Sequence, residues 1–180
     1  INDANITEQG LSLYKKMVDD NKFPIRLYAM IPGKGPLFEK YLQSGPENYK
    51  DRINIKCFSL EYDGYFENQD AAMENDYNEE PKRMIPFNDE FDIKEMTSKA
   101  NEKDFQVSVK TVGDRALTNT LNAIESVNKE VKSKAGRMRV EYLEFVNPAD
   151  MQRIKQLEII PSIRPEVTLT DKVIVGEIIK

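Results

Sequence analysis

Hydrophobic residues along this chain recur at helical spacing in some segments, and in others they form short continuous or alternating runs. In the first segment, Leu11 and Val18 belong to the apolar face of a helix that the Thr7 side chain can cap. The same spacing returns four more times along the chain. The predicted helices cover roughly residues 7–21, 37–42, 92–103, 114–132 and 148–156.

The short apolar runs lie between these helices, and turn-forming residues bound them. The largely apolar run from Pro24 to Ile31 is predicted to be a buried strand, and Pro32 and Gly33 end it. Further strands are predicted at 52–58, 105–110, 138–143 and 159–163. Residues 173–175 are either one more strand or the tail of a truncated element.

Alternating strands and helices indicate an α/β fold with a parallel sheet and helices outside it. An open doubly wound sheet and a closed (β/α) barrel both satisfy this order. A complete eight-unit barrel typically needs about 250 residues, so a chain of 180 residues does not close one alone. Residues 59–91 are acidic and weakly periodic, and they are predicted to form a long excursion loop.

The composition excludes several kinds of chemistry. With no His, this chain alone cannot build a Ser-His-Asp triad, a histidine base or a histidine-ligated zinc site, and Cys57, its one cysteine, cannot form an internal disulfide. The net charge of −5 favours neither nucleic acid nor an anionic membrane as a partner. Since no membrane-spanning run or signal-peptide pattern is found, we expect an intracellular, cytoplasmic protein.

The sharpest motif is Gly113-Asp114-Arg115-Ala116, which follows one predicted strand and begins a helix that Asp114 can cap. This segment resembles the amidohydrolase superfamily, specifically its long-chain metal-dependent hydrolase branch, where a strand ends in V-H-x-x-G-D-R-A. Lys110 stands here in place of the histidine. The resemblance implies a partial or divergent TIM-type barrel with parallel strands and outer helices.

Other segments resemble the same branch in the same order along the chain. Residues Arg139 to Tyr142 are similar to its R-I-E-H strand end, with Tyr142 in place of a second histidine. Ile55 to Phe58, followed by Asp63-Gly64, is similar to V-K-x-F-x-D-G with inserted residues. The remaining similar segments are 24–30, 71–73, 147–150 and 162–165. The resemblance therefore implies one amidohydrolase-like domain, or a fragment of one, over residues 1–180.

The resemblance also implies an enzyme with one or two zinc-type ions that activate water for attack on a C–N bond. Lys56 holds the position of the carboxylated lysine that often bridges the metals. Lys110 carries an ammonium without a lone pair, and Tyr142 carries a phenol that is protonated near neutral pH. Both are poor zinc ligands, so we expect no cofactor, and zinc or another divalent metal only if the chain is an active hydrolase.

The predicted strand ends place several charged residues near the barrel mouth, with Lys56 among them. These residues could repair the charge of a lost metal, bind a small anionic ligand near a helix start, or lower the pKa of a lysine for imine chemistry. The candidate mouth residues are Lys110, Asp114, Arg115, Glu141, Tyr142 and Arg164.

Three functions follow from this reading. The leading interpretation is a catalytically degenerate amidohydrolase-like protein, without enzymatic activity, that acts as a scaffold or interaction subunit. The first alternative is a metal-dependent hydrolase of C–N bonds whose remaining ligands lie outside this chain, and the second is a small anionic-ligand binder. For the leading interpretation, we expect another chain, a second copy or a further part of the same protein to cover the open barrel edges.

Overall fold

The computed structural model describes residues 1–77, 86–130 and 137–165. The strands in this part of the chain are β1 (Asn2–Asp3), β2 (Leu27–Pro32), β3 (Glu47–Tyr49), β4 (Ile53–Glu61), β5 (Gln106–Thr111), β6 (Arg139–Tyr142) and β7 (Ile160–Ile163). The helices are α1 (Glu8–Asp19), α2 (Pro36–Ser44), α3 (Glu90–Glu102), α4 (Asp114–Glu130) and α5 (Pro148–Gln156).

The main sheet has the strand order β1-β2-β4-β5-β6-β7, and every neighbouring pair in it is parallel. The sheet curls into a half-barrel with helices along its outer side. This confirms the predicted α/β fold and the partial TIM-type barrel. Since parallel strands all end at the same edge, the residues that close β1, β4, β5 and β6 meet there.

The core lies between the strands and the surrounding helices. Phe58 of β4 contacts Phe105 and Phe38 at centroid separations of 4.2 and 4.6 Å. These contacts join β4 to the residue that precedes β5 and to helix α2. Helices α3 and α4 pack against each other through fully buried residues such as Ile93 and Leu121. Within the described part of the chain, no helix has the length and apolar character needed to cross a membrane.

Local sequence explains where several helices begin. The Thr7 hydroxyl accepts a hydrogen bond from the Gly10 N–H, which confirms the predicted cap of α1. Asp89 and Asp92 form a reciprocal capping box at α3, so this helix begins at Glu90, two residues earlier than predicted. Asp114 is the first residue of α4 rather than its cap, and its carboxylate accepts the N–H of Glu74.

The largest difference from the sequence prediction concerns β4, which continues to Glu61 and takes three residues from the predicted loop. The antiparallel strand β3 was not predicted, and it pairs with the first residues of β4. Of the remaining loop, a short 3₁₀ helix covers Phe66–Asn68. The predicted strand at 173–175 and the segment 78–85 lie outside the described residues.

Candidate functional site

A cavity of about 340 Å³ opens at the carboxyl ends of the parallel strands. Its walls come from the end of β1 and the following residues, and from the last residues of β4, β5 and β6. Most of the lining side chains are polar, although the core beneath them is apolar. They include Asp3, Asn5, Ser59, Glu61, Ser108, Lys110, Glu141 and Tyr142.

Lys110 is the cation of this cavity, and it is only 7% exposed. Its Nζ lies 3.9 Å from the centroid of the Tyr65 ring and 5.0 Å from that of Tyr142. The nearest carboxylate oxygen among the described residues, Glu61 Oε2, is also 3.9 Å away. Two aromatic rings therefore stabilise the ammonium, and the one ion pair is too long for a hydrogen bond.

Tyr142 closes strand β6 with a strained backbone. Its backbone φ angle is +76°, and residues other than glycine adopt such an angle at a cost in conformational free energy. Its hydroxyl lies 3.5 Å from that of Tyr65, and the Arg164 guanidinium lies 4.9 Å from its ring centroid. The interaction with Tyr65, together with burial, raises the pKa of Tyr142 to about 12, so the phenol is neutral at physiological pH.

The carboxylates of the cavity already have partners. Glu141 Oε1 accepts a hydrogen bond from Arg139 Nε at 2.7 Å and one from the Ser108 hydroxyl at 3.3 Å. Glu61 Oε1 accepts a hydrogen bond from Asn5 Nδ2 at 2.9 Å. Positive or neutral side chains of this chain therefore hold the acidic groups that line the cavity.

The segment after β4 carries Tyr65 to the cavity, and Asp63 anchors this segment. The Asp63 side chain is fully buried and accepts backbone hydrogen bonds from Val112, Gly113 and Ala72 at 2.8, 2.8 and 2.9 Å. Burial raises the pKa of Asp63, while the three N–H donors oppose that rise. Asp63 thus holds the loop against the start of α4.

Lys56 does not lie at the mouth, contrary to the prediction from the resemblance. It is exposed and lies five residues before the end of β4, about 16 Å along the strand. Pairing with β2 passes from Ile55 to Cys57, so Lys56 is the extra residue of a β-bulge. The β4 side chains that line the cavity include Ser59 and Glu61.

The structure brings together Lys110, Glu141 and Tyr142, and places Arg164 beside the Tyr142 ring. Asp114 and Arg115 are half-buried at the start of α4 and do not line the cavity. Several residues that form or flank the site were not predicted from the sequence, and they include Asp3, Asn5, Ser59, Glu61, Tyr65 and Ser108. Continuing the two-residue alternation of β4 from Cys57 would have found Ser59 and Glu61.

A divalent metal does not fit the residues of this cavity. Lys110 offers an ammonium and Tyr142 a protonated phenol, and Arg139 already binds Glu141. Over residues 1–77, 86–130 and 137–165, no group of three or more His, Cys, Asp or Glu side chains is arranged to hold a metal ion. We therefore derive no step through a metal.

A curled sheet of parallel strands, outer helices and a polar cavity at the strand ends together define a half-barrel of the (β/α) class. The chain belongs to the Amidohydrolase family, whose model matches residues 5–179. This confirms the family suggested by the motifs around Lys110 and Tyr142.

Two curated proteins and two solved structures are similar to the chain. It is 26% identical over 154 residues to "Protein LONG AFTER FAR-RED 3" of Arabidopsis thaliana, covering 83% of this chain and 24% of that protein. It is 23% identical over 164 residues to "Putative amidohydrolase YtcJ" of Bacillus subtilis, covering 89% and 30%.

The two solved structures are uncharacterized metal-dependent hydrolases of Pyrococcus furiosus and Pyrococcus horikoshii. Their TM-scores are 0.86 and 0.85 at 20% identity. The match covers 99% of this chain in both cases and 36% and 35% of theirs. At this identity the likeness shows the fold, and the chain spans about a third of those structures.

Proposed function

We propose that this chain is a catalytically degenerate amidohydrolase-like half-barrel that serves as a scaffold or interaction subunit. The observation that carries the proposal is the position of Lys110, whose ammonium lies between the rings of Tyr65 and Tyr142 at the carboxyl edge of the sheet. In the family motif this strand position belongs to a histidine that holds metal. An ammonium at that place repels a divalent cation and cannot donate a lone pair to it.

The charge arrangement supports repair of a lost metal centre. Lys110 faces Glu61 at 3.9 Å, and Arg139 binds Glu141 at 2.7 Å, so each cavity glutamate has a cation from a neighbouring or the same strand. Side-chain cations offset the repulsion among carboxylates that a metal would otherwise offset. The barrel architecture can then persist without the metal.

The interaction role is supported by the edges of the sheet. Among the described strands, β7 pairs only with β6, and β1 pairs only with β2. Ile163 on β7 is 63% exposed, and Met151 on the adjoining helix α5 is exposed to the same degree. An exposed apolar edge strand favours pairing with another strand, so we propose that another chain or a second copy covers β7.

Metal content tests the loss of the metal centre. The protein is purified in the presence of zinc, dialysed and measured by inductively coupled plasma mass spectrometry, beside Glu141→Gln and the exposed control Glu8→Gln. We expect no stoichiometric zinc in any of the three. Zinc bound stoichiometrically by the wild type and by Glu8→Gln, but lost in Glu141→Gln, would overturn the proposal.

Light scattering after size exclusion tests the interaction role. We expect a mass above the 20.8 kDa of one chain, and a shift towards 20.8 kDa in Ile163→Asp. The matched control is Leu13→Asp, which adds the same charge at a residue that is 57% exposed on α1. A wild-type protein that is stable at 20.8 kDa removes this part of the proposal.

A second candidate function is metal-dependent hydrolysis of C–N bonds with ligands from outside the described cavity. The family match over residues 5–179 favours it, as do the structural neighbours, which are themselves named metal-dependent hydrolases. The zinc measurement separates the two functions, because stoichiometric metal together with release of amine from an N-acyl substrate would support the hydrolase.

A further inference from the structure

The cavity contains an oppositely charged pair whose hydrogen-bonding capacity is unused. Lys110 Nζ and Glu61 Oε2 lie 3.9 Å apart, which is too far for a hydrogen bond. Among the described residues, Nζ donates no hydrogen bond and Oε2 accepts none, although the Lys110 side chain is only 8% exposed. A nearly buried ammonium with three unused donors is costly unless an acceptor reaches it.

The overall charge of the cavity determines what kind of ligand can bring an acceptor to Lys110. Asp3, Glu61 and Glu141 are acidic, while Lys110 and the neighbouring Arg139 are basic, so the groups sum to one negative charge. A purely anionic ligand on Lys110 would add to that charge, and a divalent anion would add more. A ligand that brings one positive and one negative group avoids this repulsion.

The spacing of the pair decides how far apart the ligand's charges lie. In an α-amino acid, the nitrogen and the carboxyl carbon are about 2.5 Å apart, given the standard bond lengths. That separation is about 1.4 Å shorter than the 3.9 Å between Nζ and Oε2, and two hydrogen bonds of about 2.8 Å that diverge slightly can span the difference. Carboxylate and ammonium can therefore lie opposite their counterparts at the same time. An extended ω-amino acid such as γ-aminobutyrate holds its two charges farther apart than this pair, and it must fold to reach both groups.

We propose that this cavity binds a free α-amino acid, with its carboxylate on Lys110 Nζ and its ammonium on Glu61 Oε2. Tyr142 also lines the cavity, and its ring centroid lies 5.0 Å from Lys110 Nζ. With about 340 Å³, the cavity has room for a side chain beyond the two charged groups. The proposal concerns ligand binding alone and is independent of metal content and of oligomeric state.

Isothermal titration calorimetry with four probes tests the recognition of both charges: leucine, N-acetylleucine, leucine amide and γ-aminobutyrate. N-acetylleucine lacks the ammonium, leucine amide lacks the carboxylate, and γ-aminobutyrate separates the two charges. We expect leucine to bind about tenfold or more tightly than each of the others, because each loses one charge-assisted hydrogen bond. Equal affinity for leucine and any other probe, or no binding of leucine, overturns the proposal.

Three variants assign the two ends of the ligand. Lys110→Met should weaken leucine about tenfold and leave leucine amide unchanged, while Glu61→Gln should weaken leucine and leave N-acetylleucine unchanged. Lys16→Met, at a lysine side chain that is 71% exposed on α1, should bind leucine like the wild type. Glu61 is 43% exposed, so Glu61→Gln tests the site even if Lys110→Met unfolds. Unchanged leucine affinity in Glu61→Gln contradicts the proposed geometry.

Discussion

Asp63 and Lys110 are two buried charges of opposite sign near the same edge of the sheet, and the protein treats them differently. Three backbone N–H groups surround the Asp63 carboxylate at 2.8–2.9 Å. The Lys110 ammonium has two aromatic rings and one carboxylate at 3.9 Å. The fold saturates the first charge with hydrogen bonds, whereas the second has no hydrogen-bond partner among the described residues and belongs to a side chain that lines a cavity.

The Asp63 carboxylate therefore has a structural role, whereas the Lys110 ammonium is available to bind a ligand. A saturated buried charge holds chain segments together, because removing it leaves several backbone groups without partners. A buried charge without hydrogen-bond partners is costly to the folded state, holds no chain segments together, and remains available to a ligand. We therefore expect substitutions at Asp63 to change stability and substitutions at Lys110 to change binding.

The largest effect is expected for Asp63→Ala, which leaves the N–H groups of Ala72, Val112 and Gly113 without acceptors. We expect a loss of about 4 kcal/mol in the free energy of unfolding, measured by urea denaturation. Asp76→Ala, an exposed carboxylate in the same loop, is the matched control and should change stability little. Equal stability of the two variants would contradict the structural role of Asp63.

Gly113→Ala should have the next largest effect, because it disturbs the same junction by crowding. A Cβ at this position would lie 2.1 Å from the Ala72 carbonyl oxygen, and backbone atoms cannot yield cheaply. We expect destabilisation by about 3 kcal/mol in urea denaturation. Gly10→Ala, whose Cβ meets only side-chain atoms at 3.3 Å and beyond, should change stability by less than about 1 kcal/mol.

Lys110→Met should change the free energy of unfolding by no more than about 1 kcal/mol, because an apolar chain of similar length replaces an ammonium without hydrogen-bond partners. The same urea denaturation measures it beside Asp63→Ala. If Lys110→Met lowers the free energy of unfolding as much as Asp63→Ala does, Lys110 stabilises the fold as strongly as Asp63.

The smallest effect concerns the ionisation of Tyr142, whose pKa is raised to about 12. Absorbance at 295 nm, titrated for the wild type and for Tyr142→Phe, should differ by one phenol that ionises near pH 12 rather than near pH 10. In the unfolded chain the Tyr142 phenol ionises near pH 10, below its pKa in the folded protein. Its contribution to stability is therefore complete below pH 10 and falls as pH rises towards 12. A difference centred at pH 10 would place Tyr142 in open solvent.

Most of the fold could be predicted from periodicity. The helix α5 occupies Pro148–Gln156, as predicted. Strand β5 differs from the prediction by one residue at each end, and β7 by one residue at its start. Strand β4 was cut short at Phe58 because Ser59 and Glu61 are polar and resemble the start of a loop. They belong to the strand because they line a cavity, which local polarity does not reveal.

The candidate site could be predicted only in part. Lys110, Glu141 and Tyr142 were found because they close strands that the family motifs identify. Lys56 was assigned to the mouth from its motif, and the bulge in β4 together with the length of that strand places it elsewhere. Tyr65 carries no local signal, because its position depends on how the loop docks.

The sequence by itself determined the alternation of helices and strands, the family and the absence of imidazole, since each of these is a property of neighbouring residues or of composition. Only the tertiary structure decided that Tyr65 covers Lys110 and that Glu61 faces it. Those contacts join residues 45 and 49 positions apart. They depend on the β4–β5 register and on the hydrogen bonds that the Val112 and Gly113 N–H groups donate to Asp63. Packing between residues distant in sequence determines the register and these hydrogen bonds, so no local sequence pattern predicts the contacts of Lys110.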